Sequence, residues 1–329
     1  MTAHQDISRA SSAAARLGSV GAWSFGLDRL PIADAIRVAR TVEYLGFGSL
    51  WIAEGAASRE ALSHAAVLLG ATSRLVVATG IASIWARDPA AMAAGARTLA
   101  DAFPGRFILG IGVSHAGAVG RRGHEYATRP LTKMREYLDA MDTAPLCSPE
   151  PDPPVTRVLA ALRPRMIELA AQRTDGVHSY FVPVEHTRRA RAVIGPSALL
   201  VPEQAVVLAH DPDTARTVAR THTSHYLARE NYRENLRSLG FPAAELQHGG
   251  SDALVDALVA WGDEAAAGTR VQEHLDAGAN HVVLQPITVS PGAREAIEQF
   301  TRLAAAVIAD RHVAPSEVAS SAEPGIPLR

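Results

Sequence analysis

The sequence has a single cysteine and a single lysine. Cys147 has no partner for an internal disulfide bond and cannot build a cysteine-rich metal site. We therefore predict neither a disulfide nor a metal centre. A Schiff-base aldolase built on a barrel needs a lysine at the end of a strand. Lys133 falls instead in a predicted outer helix, so this class of enzyme is disfavoured.

The sequence also lacks a charge bias and a long apolar run. The formal net charge of −2 gives no support for binding nucleic acid. No apolar run approaches the length of a membrane span, so we expect no membrane association. The first residues lack a basic segment followed by an apolar one, and we therefore expect no signal peptide and a cytoplasmic location.

What the sequence does contain is a strong α/β pattern around residues 75–117. Two continuous apolar runs flank an alanine-rich segment, and Asp88-Pro89 at the start of that segment is a helix-start signal. This pattern predicts a strand, a crossover helix and a second strand. Both strands end in small residues, among them Gly80 and Ser114, and ligands bind at such strand ends in α/β folds.

The same alternation recurs along the chain. The predicted strands cover residues 20–27, 49–54, 75–84, 106–112, 156–161, 176–182, 203–209 and 281–286. Eight strands that alternate with helices predict a parallel (β/α)8 TIM barrel, with an open doubly wound sheet as the alternative. We expect one barrel domain over residues 18–311, a mobile arm over 1–17 and a tail over 312–329. The glycine- and arginine-rich loop 115–130 is predicted to be a lid or disordered.

Two segments carry a resemblance to a known family. Thr79-Gly80-Ile81, which precedes Arg87-Asp88-Pro89, and the segment Gly105-Arg106-Phe107-Ile108-Leu109-Gly110-Ile111-Gly112 resemble strands of the bacterial-luciferase-like (β/α)8 barrels. These are flavin-dependent monooxygenases and deazaflavin (F420)-dependent oxidoreductases. The resemblance extends from about residue 21 to about residue 311. It implies that the helical region 213–258 is the insertion that such barrels carry after strand seven.

The resemblance implies a cofactor and its position. The sequence around Ser114-His115 is most similar to an F420-dependent subgroup, which implies F420, with FMN as the alternative. Gly80 and Ile81 match a cis peptide bond without proline that presses against the flavin ring; the alternative is a glycine that lets the strand turn. Ala82 and Ser114, at the same strand ends, are also assigned to the cofactor.

Further cofactor contacts are expected on the next strands. A phosphate needs N–H donors and positive charge. Arg163 begins a helix after strand five, and Gly176, His178 and Ser179 lie on strand six, near where the family binds the phosphate. The alternative for Arg163 is a solvated position.

Two residues are candidates for catalysis. His115 follows strand four, where related F420-dependent dehydrogenases place a glutamate, and a histidine exchanges protons near neutral pH. The alternative is a solvated loop histidine. Glu54 ends strand two and is either catalytic or an acceptor for backbone N–H groups. Gly55 replaces the histidine of luciferases and alcohol-oxidising relatives, which argues against luciferase chemistry and simple alcohol oxidation.

The resemblance therefore implies an oxidoreductase that uses F420 for hydride transfer to or from a small organic substrate. FMN-dependent monooxygenation is the nearest alternative. The missing histidine at Gly55 motivates another, a non-catalytic flavin-binding barrel subunit. A homodimer is expected, as in relatives.

Overall fold

The computed structural model describes residues 3–288 and 292–308, with side chains from residue 10 onward. Its strands are short and mostly buried over their whole length. In chain order they are β1 (Val20–Ser24), β2 (Ser49–Ile52), β3 (Val76–Thr79), β4 (Ala82–Ser83), β5 (Phe107–Gly112), β6 (Thr156–Ala160), β7 (Gly176–Ser179), β8 (Leu199–Val207), β9 (Val259–Trp261) and β10 (Val282–Pro286).

Eight of these strands close into a parallel barrel. The order around it is β1, β2, β3, β5, β6, β7, β8 and β10, and β10 pairs with both β8 and β1. Val20 lies opposite Val282 at this closure, and Gln204 lies opposite Leu284. The predicted (β/α)8 barrel is confirmed, and the open sheet is excluded. β4 pairs with β5, and β9 pairs with β8.

Helices cover the outside of the barrel. They are α1 (Ala3–Leu17), α2 (Ile32–Tyr44), α3 (Ala61–Ala71), α4 (Pro89–Ala102), α5 (Ala116–Gly120), α6 (Pro130–Asp142), α7 (Pro164–Arg173), α8 (Val184–Ile194), α9 (Pro212–Leu227), α10 (Glu230–Ser238), α11 (Asp252–Leu258), α12 (Glu264–Asp276) and α13 (Ala293–Val307). Helix α4 begins at the predicted start signal: Asp88 caps it, and its carboxylate accepts a hydrogen bond of 2.9 Å from the Ala91 N–H. Within the described residues, no helix combines the length and apolar character that a bilayer crossing requires.

The N-terminal segment differs from its prediction. In place of a mobile arm over residues 1–17, helix α1 covers Ala3–Leu17, and Ala10, Ala13 and Leu17 are buried. A Cβ atom on Gly48, just before β2, would lie 1.7 Å from the Leu17 carbonyl oxygen. Helix α1 therefore packs at the amino ends of the strands, and it buries small side chains there.

Two predicted boundaries also differ. The seventh barrel strand, β8, begins at Leu199 rather than at residue 203, and Pro202 lies inside it. Proline inside a strand obscures the usual sequence pattern. β1 ends at Ser24, whereas the strand predicted there continues to residue 27. The domain end at residue 311 and the tail over 312–329 lie outside the described residues.

The helical insertion is where it was predicted. Helices α9, α10 and α11 follow β8 and build a second apolar core with its carboxyl end. Phe181, at the end of β7, packs in this core against Tyr226 and Tyr232, with ring centroids 4.9 and 5.4 Å away. The insertion is thereby anchored over the mouth of the barrel.

Candidate active site

A cavity of about 1060 Å³ opens at the carboxyl ends of the barrel strands. Strand ends from β1 to β7 supply its floor, and helices α9 and α10 of the insertion supply one wall. This is the end of a parallel barrel at which active sites are built. The predicted location of the site at these strand ends agrees with the cavity.

A bulge between β3 and β4 shapes the floor. The peptide bond between Gly80 and Ile81 is cis, as the resemblance implied, and both residues line the cavity. Both flanking strands pair with β5, and the Thr79 hydroxyl bridges the interruption by bonding to the Gly110 carbonyl (2.8 Å) and N–H (2.9 Å). Gly110 must be glycine, because a Cβ atom there would lie 2.0 Å from the backbone carbonyl oxygen of Thr79.

Two polar ring atoms lie beside this bulge without partners. A Cβ atom on Gly80 would lie 2.7 Å from Trp23 Nε1 and 3.2 Å from His178 Nε2. Both nitrogens are buried and have no hydrogen-bond partner among the described residues. The His178 Nδ1–H donates to the Val201 carbonyl (2.8 Å), which leaves Nε2 as an acceptor in the neutral ring, whereas Trp23 Nε1 is a donor.

These atoms provide the test of whether a flavin-type cofactor fits. Buried polar atoms are nearly always hydrogen-bonded in folded proteins. A donor and an acceptor that both lack partners on the cavity floor therefore suit a planar heteroaromatic ligand with acceptors and donors on its edge. Burial lowers the pKa of His178 to about 4, so its ring is neutral at pH 7. The residues present fit the cofactor class that the resemblance implies.

His115 lines the same cavity, between β5 and α5. It is partly buried, and its ring lies 5.2 Å from that of Tyr232 on the insertion. Burial, together with the charge of Arg229 and with His225, lowers the pKa of His115 to about 4. The expectation of a histidine that titrates near neutral pH is therefore wrong: His115 is neutral at pH 7, which makes it a proton acceptor.

The Glu54 carboxylate is bonded by donors of the surrounding structure. Its buried carboxylate forms a bidentate ion pair with Arg87, and it also accepts hydrogen bonds from the N–H groups of Ser83 (2.8 Å) and Ala61 (3.3 Å). Arg87 in turn contacts Glu60. Glu54 borders the cavity, but its oxygens are engaged by these donors. The arrangement favours the alternative of an acceptor for backbone N–H groups over a catalytic role.

The other predicted cofactor residues divide into two sets. Ser114 and Arg163 line the cavity. Ala82, Gly176 and Ser179 do not: Ala82 is buried in β4, Gly176 packs against the Leu199 carbonyl at the opposite end of β7, and the Ser179 hydroxyl turns to the Ala161 carbonyl (3.4 Å). For these three the sequence identified the correct strands but not which way each residue faces.

The loop 115–130 forms part of the cavity wall. It contains the short helix α5, and Tyr126 from its second half donates to the Ser114 carbonyl at 3.5 Å. Trp85 does not line this cavity, and its indole N–H donates to the Val113 carbonyl (2.9 Å).

Positive charge dominates the cavity lining. Five arginines contribute to it, and none of them has a carboxylate partner among the described residues. They are Arg121, Arg129, Arg163, Arg165 and Arg229. Because the carboxylate of Glu54 is neutralised by Arg87, the cavity carries a net positive charge and suits anionic ligands.

Sequence reasoning missed the residues that come from the insertion. Tyr226, Tyr232, His225 and Arg229 form one wall of the cavity. Tyr180, at the end of β7, joins them through hydroxyl contacts to Tyr226 (2.8 Å) and to Gln285 (2.7 Å). Apart from its aromatic and basic residues, the insertion sequence carries no motif that would have indicated this wall.

Comparison with known proteins agrees with this geometry. Residues 13–281 match the family model described as luciferase-like monooxygenase. The chain belongs to this family. Among solved structures, the luciferase-like chain resembles an F420-dependent secondary alcohol dehydrogenase in complex with an F420–acetone adduct. The TM-score is 0.69 at 17% identity, over 88% of this chain and 99% of that one.

A reductase and a monooxygenase are also similar to this chain. The 5,10-methylenetetrahydromethanopterin reductase of Methanolobus tindarius is 26% identical over 175 residues, which cover 47% of this chain and 53% of the reductase. The chain therefore matches about half the length of this curated relative. A type II Baeyer–Villiger monooxygenase from Pseudomonas putida, in complex with FMN, has a TM-score of 0.63 at 16% identity, over 88% of this chain and 98% of that one. At such identities the structural likeness shows the fold.

Proposed function

We propose that this luciferase-like protein is an oxidoreductase that uses coenzyme F420 for hydride transfer with a small organic substrate. The observation that carries the proposal is the cavity floor, where Gly80 lies next to Trp23 Nε1 and His178 Nε2, which have no partner among the described residues. A relative from Mycobacterium tuberculosis, named as a putative coenzyme F420-dependent oxidoreductase and 30% identical over 161 residues, supports F420 over FMN as the cofactor. F420, when bound, would supply a two-electron hydride carrier.

The chain's own residues would bind and orient the ring and move a proton. Trp23 would donate to the ring edge, and His178 would accept from it. Arg163 would offer positive charge to the phosphate. His115, neutral at pH 7, would accept the proton of the substrate heteroatom when the substrate carbon is oxidised.

A titration with both cofactors tests the proposal. We expect the fluorescence of F420 to change on addition of the protein, with saturation, and FMN to bind more weakly. The His178→Phe variant removes the acceptor and should weaken F420 binding by about tenfold, the equivalent of one hydrogen bond. Tight FMN binding with unchanged F420 fluorescence would replace the proposal by FMN-dependent monooxygenation. Binding of neither cofactor would contradict both cofactor assignments and favour a barrel without redox activity.

A further inference from the structure

The arginines of the cavity lie on different sides of it. Arg163 and Arg165 follow β6 at the start of α7. Arg121, at the end of α5, and Arg229, just before α10, belong to the other side, where the insertion meets α5. These two share His225 as a neighbour: burial and then the charges of Arg229 and Arg121 lower the pKa of that histidine.

Arg229 is fixed in position by neutral partners. One terminal nitrogen donates to the His225 carbonyl (2.9 Å) and the other contacts His225 Nε2 (2.8 Å), and the guanidinium lies 5.0 Å from the Tyr226 ring centroid. Neither Arg229 nor Arg121 forms an ion pair in the described part of the chain. Arg229 is thus held in the cavity wall without a counter-charge, and the exposed Arg121 lines the same cavity.

His115 lies at the same corner. Its ring packs 5.2 Å from Tyr232, the third residue of α10, and Arg229 precedes that helix. Clustered positive charges without anionic partners are unfavourable, and an anion bound between them would relieve this cost. Guanidinium groups match the oxygens of carboxylates and phosphates in bidentate geometry.

We propose that the substrate carries an anionic oxygen-bearing group, a carboxylate or a phosphate, which Arg121 and Arg229 bind beside His115. The inference rests on the proposed function, because it takes this cavity as the substrate site. His225 acts as a positioning residue that orients Arg229. The cavity volume of about 1060 Å³ leaves room for such a substrate together with a ring cofactor.

Calorimetric titration with three probes tests the inference. Benzoate and phenyl phosphate are the anionic probes, and benzamide is the neutral counterpart of benzoate with nearly the same shape. We expect at least one anion to bind at least tenfold more tightly than benzamide. The ratio should fall to about one in Arg229→Gln and decrease in Arg121→Gln, whereas the matched variant Arg165→Gln, on the β6–α7 side, should keep it. Thermal midpoints of the three variants establish that they are folded.

The outcomes separate this inference from the cofactor assignment. Equal binding of benzamide and both anions overturns it, even if F420 binds. A preference that is lost in Arg165→Gln but kept in Arg229→Gln also overturns it, because the anion then binds on the β6–α7 side. An anion preference that disappears in Arg229→Gln while F420 fails to bind supports the inference and refutes only the cofactor. The preferred anion identifies carboxylate or phosphate as the substrate group.

Discussion

The ion pair between Glu54 and Arg87 allows a direct test of how the site is built. The Glu54 side chain is 1% exposed and that of Arg87 is 10% exposed. The substitution Arg87→Met would leave the buried carboxylate with only the backbone N–H groups of Ser83 and Ala61. Removing one partner of a buried pair costs about 3–5 kcal/mol. We expect the free energy of unfolding to fall by this amount.

Two further variants calibrate the result. Glu54→Gln keeps an acceptor for the backbone donors and leaves Arg87 in contact with Glu60, so we expect a smaller loss of about 1–3 kcal/mol. Arg188→Met removes an exposed pair with Glu185, whose side chains are 63% and 44% exposed. Exposed pairs of this kind contribute about 0.5 kcal/mol or less, and this variant serves as the control.

Urea denaturation followed by circular dichroism measures all of these values. The double variant Glu54→Leu/Arg87→Met should be more stable than Arg87→Met alone, because replacing both charges by apolar groups removes the buried unpaired carboxylate. A loss in Arg87→Met no larger than that in Arg188→Met would refute the buried pair. Glu54 would then be available for chemistry, and its catalytic role would have to be tested again.

Three further predictions rest on the structure, and a fourth, the homodimer, rests on the family resemblance. His115→Ala should keep F420 affinity within a few-fold and reduce turnover by about 10²–10⁴-fold in steady-state kinetics; full turnover would assign the proton to another group. Lowering the pH from about 6.5 toward 4 should destabilise the fold. The reason is that burial lowers the pKa of His178 and His281 to about 4, so the unfolded chain binds protons more readily. Each contributes at most about 1.4 kcal/mol per pH unit, and a urea midpoint that is unchanged between about pH 7 and 5 would contradict this. Ser49→Ala removes the hydroxyl that bonds to His281 Nε2 (2.6 Å) and accepts from Trp51 Nε1 (2.9 Å), and it should cost about 1–3 kcal/mol in urea denaturation, against no measurable loss for the exposed Ser197→Ala. The predicted homodimer should be visible by light scattering at micromolar concentration, where a monomer would count against it.

Local sequence patterns were sufficient to predict the barrel and its ligand-binding end. A continuous apolar run that stops at small residues is a local pattern, so it can be recognised in the sequence before the fold is known. The cis bond at Gly80–Ile81 was predicted from the resemblance, and the structure contains it. Helix α1 was missed because its buried side chains include Ala10 and Ala13. Alanines bury well but give a weak apolar period.

The cavity wall that the insertion supplies depends on long-range packing, which no local sequence pattern predicts. Tyr226 and Tyr232 reach the cavity because their rings pack on Phe181, which belongs to a different part of the chain. Arg229 lies between these two tyrosines in sequence, and their packing carries it to the corner of His115. The cavity floor, in contrast, is centred on one strand–helix–strand unit with Gly80 at its bend. The sequence could therefore indicate the position of the site, whereas the proposal of an anionic substrate depends on the placement of the insertion over the barrel.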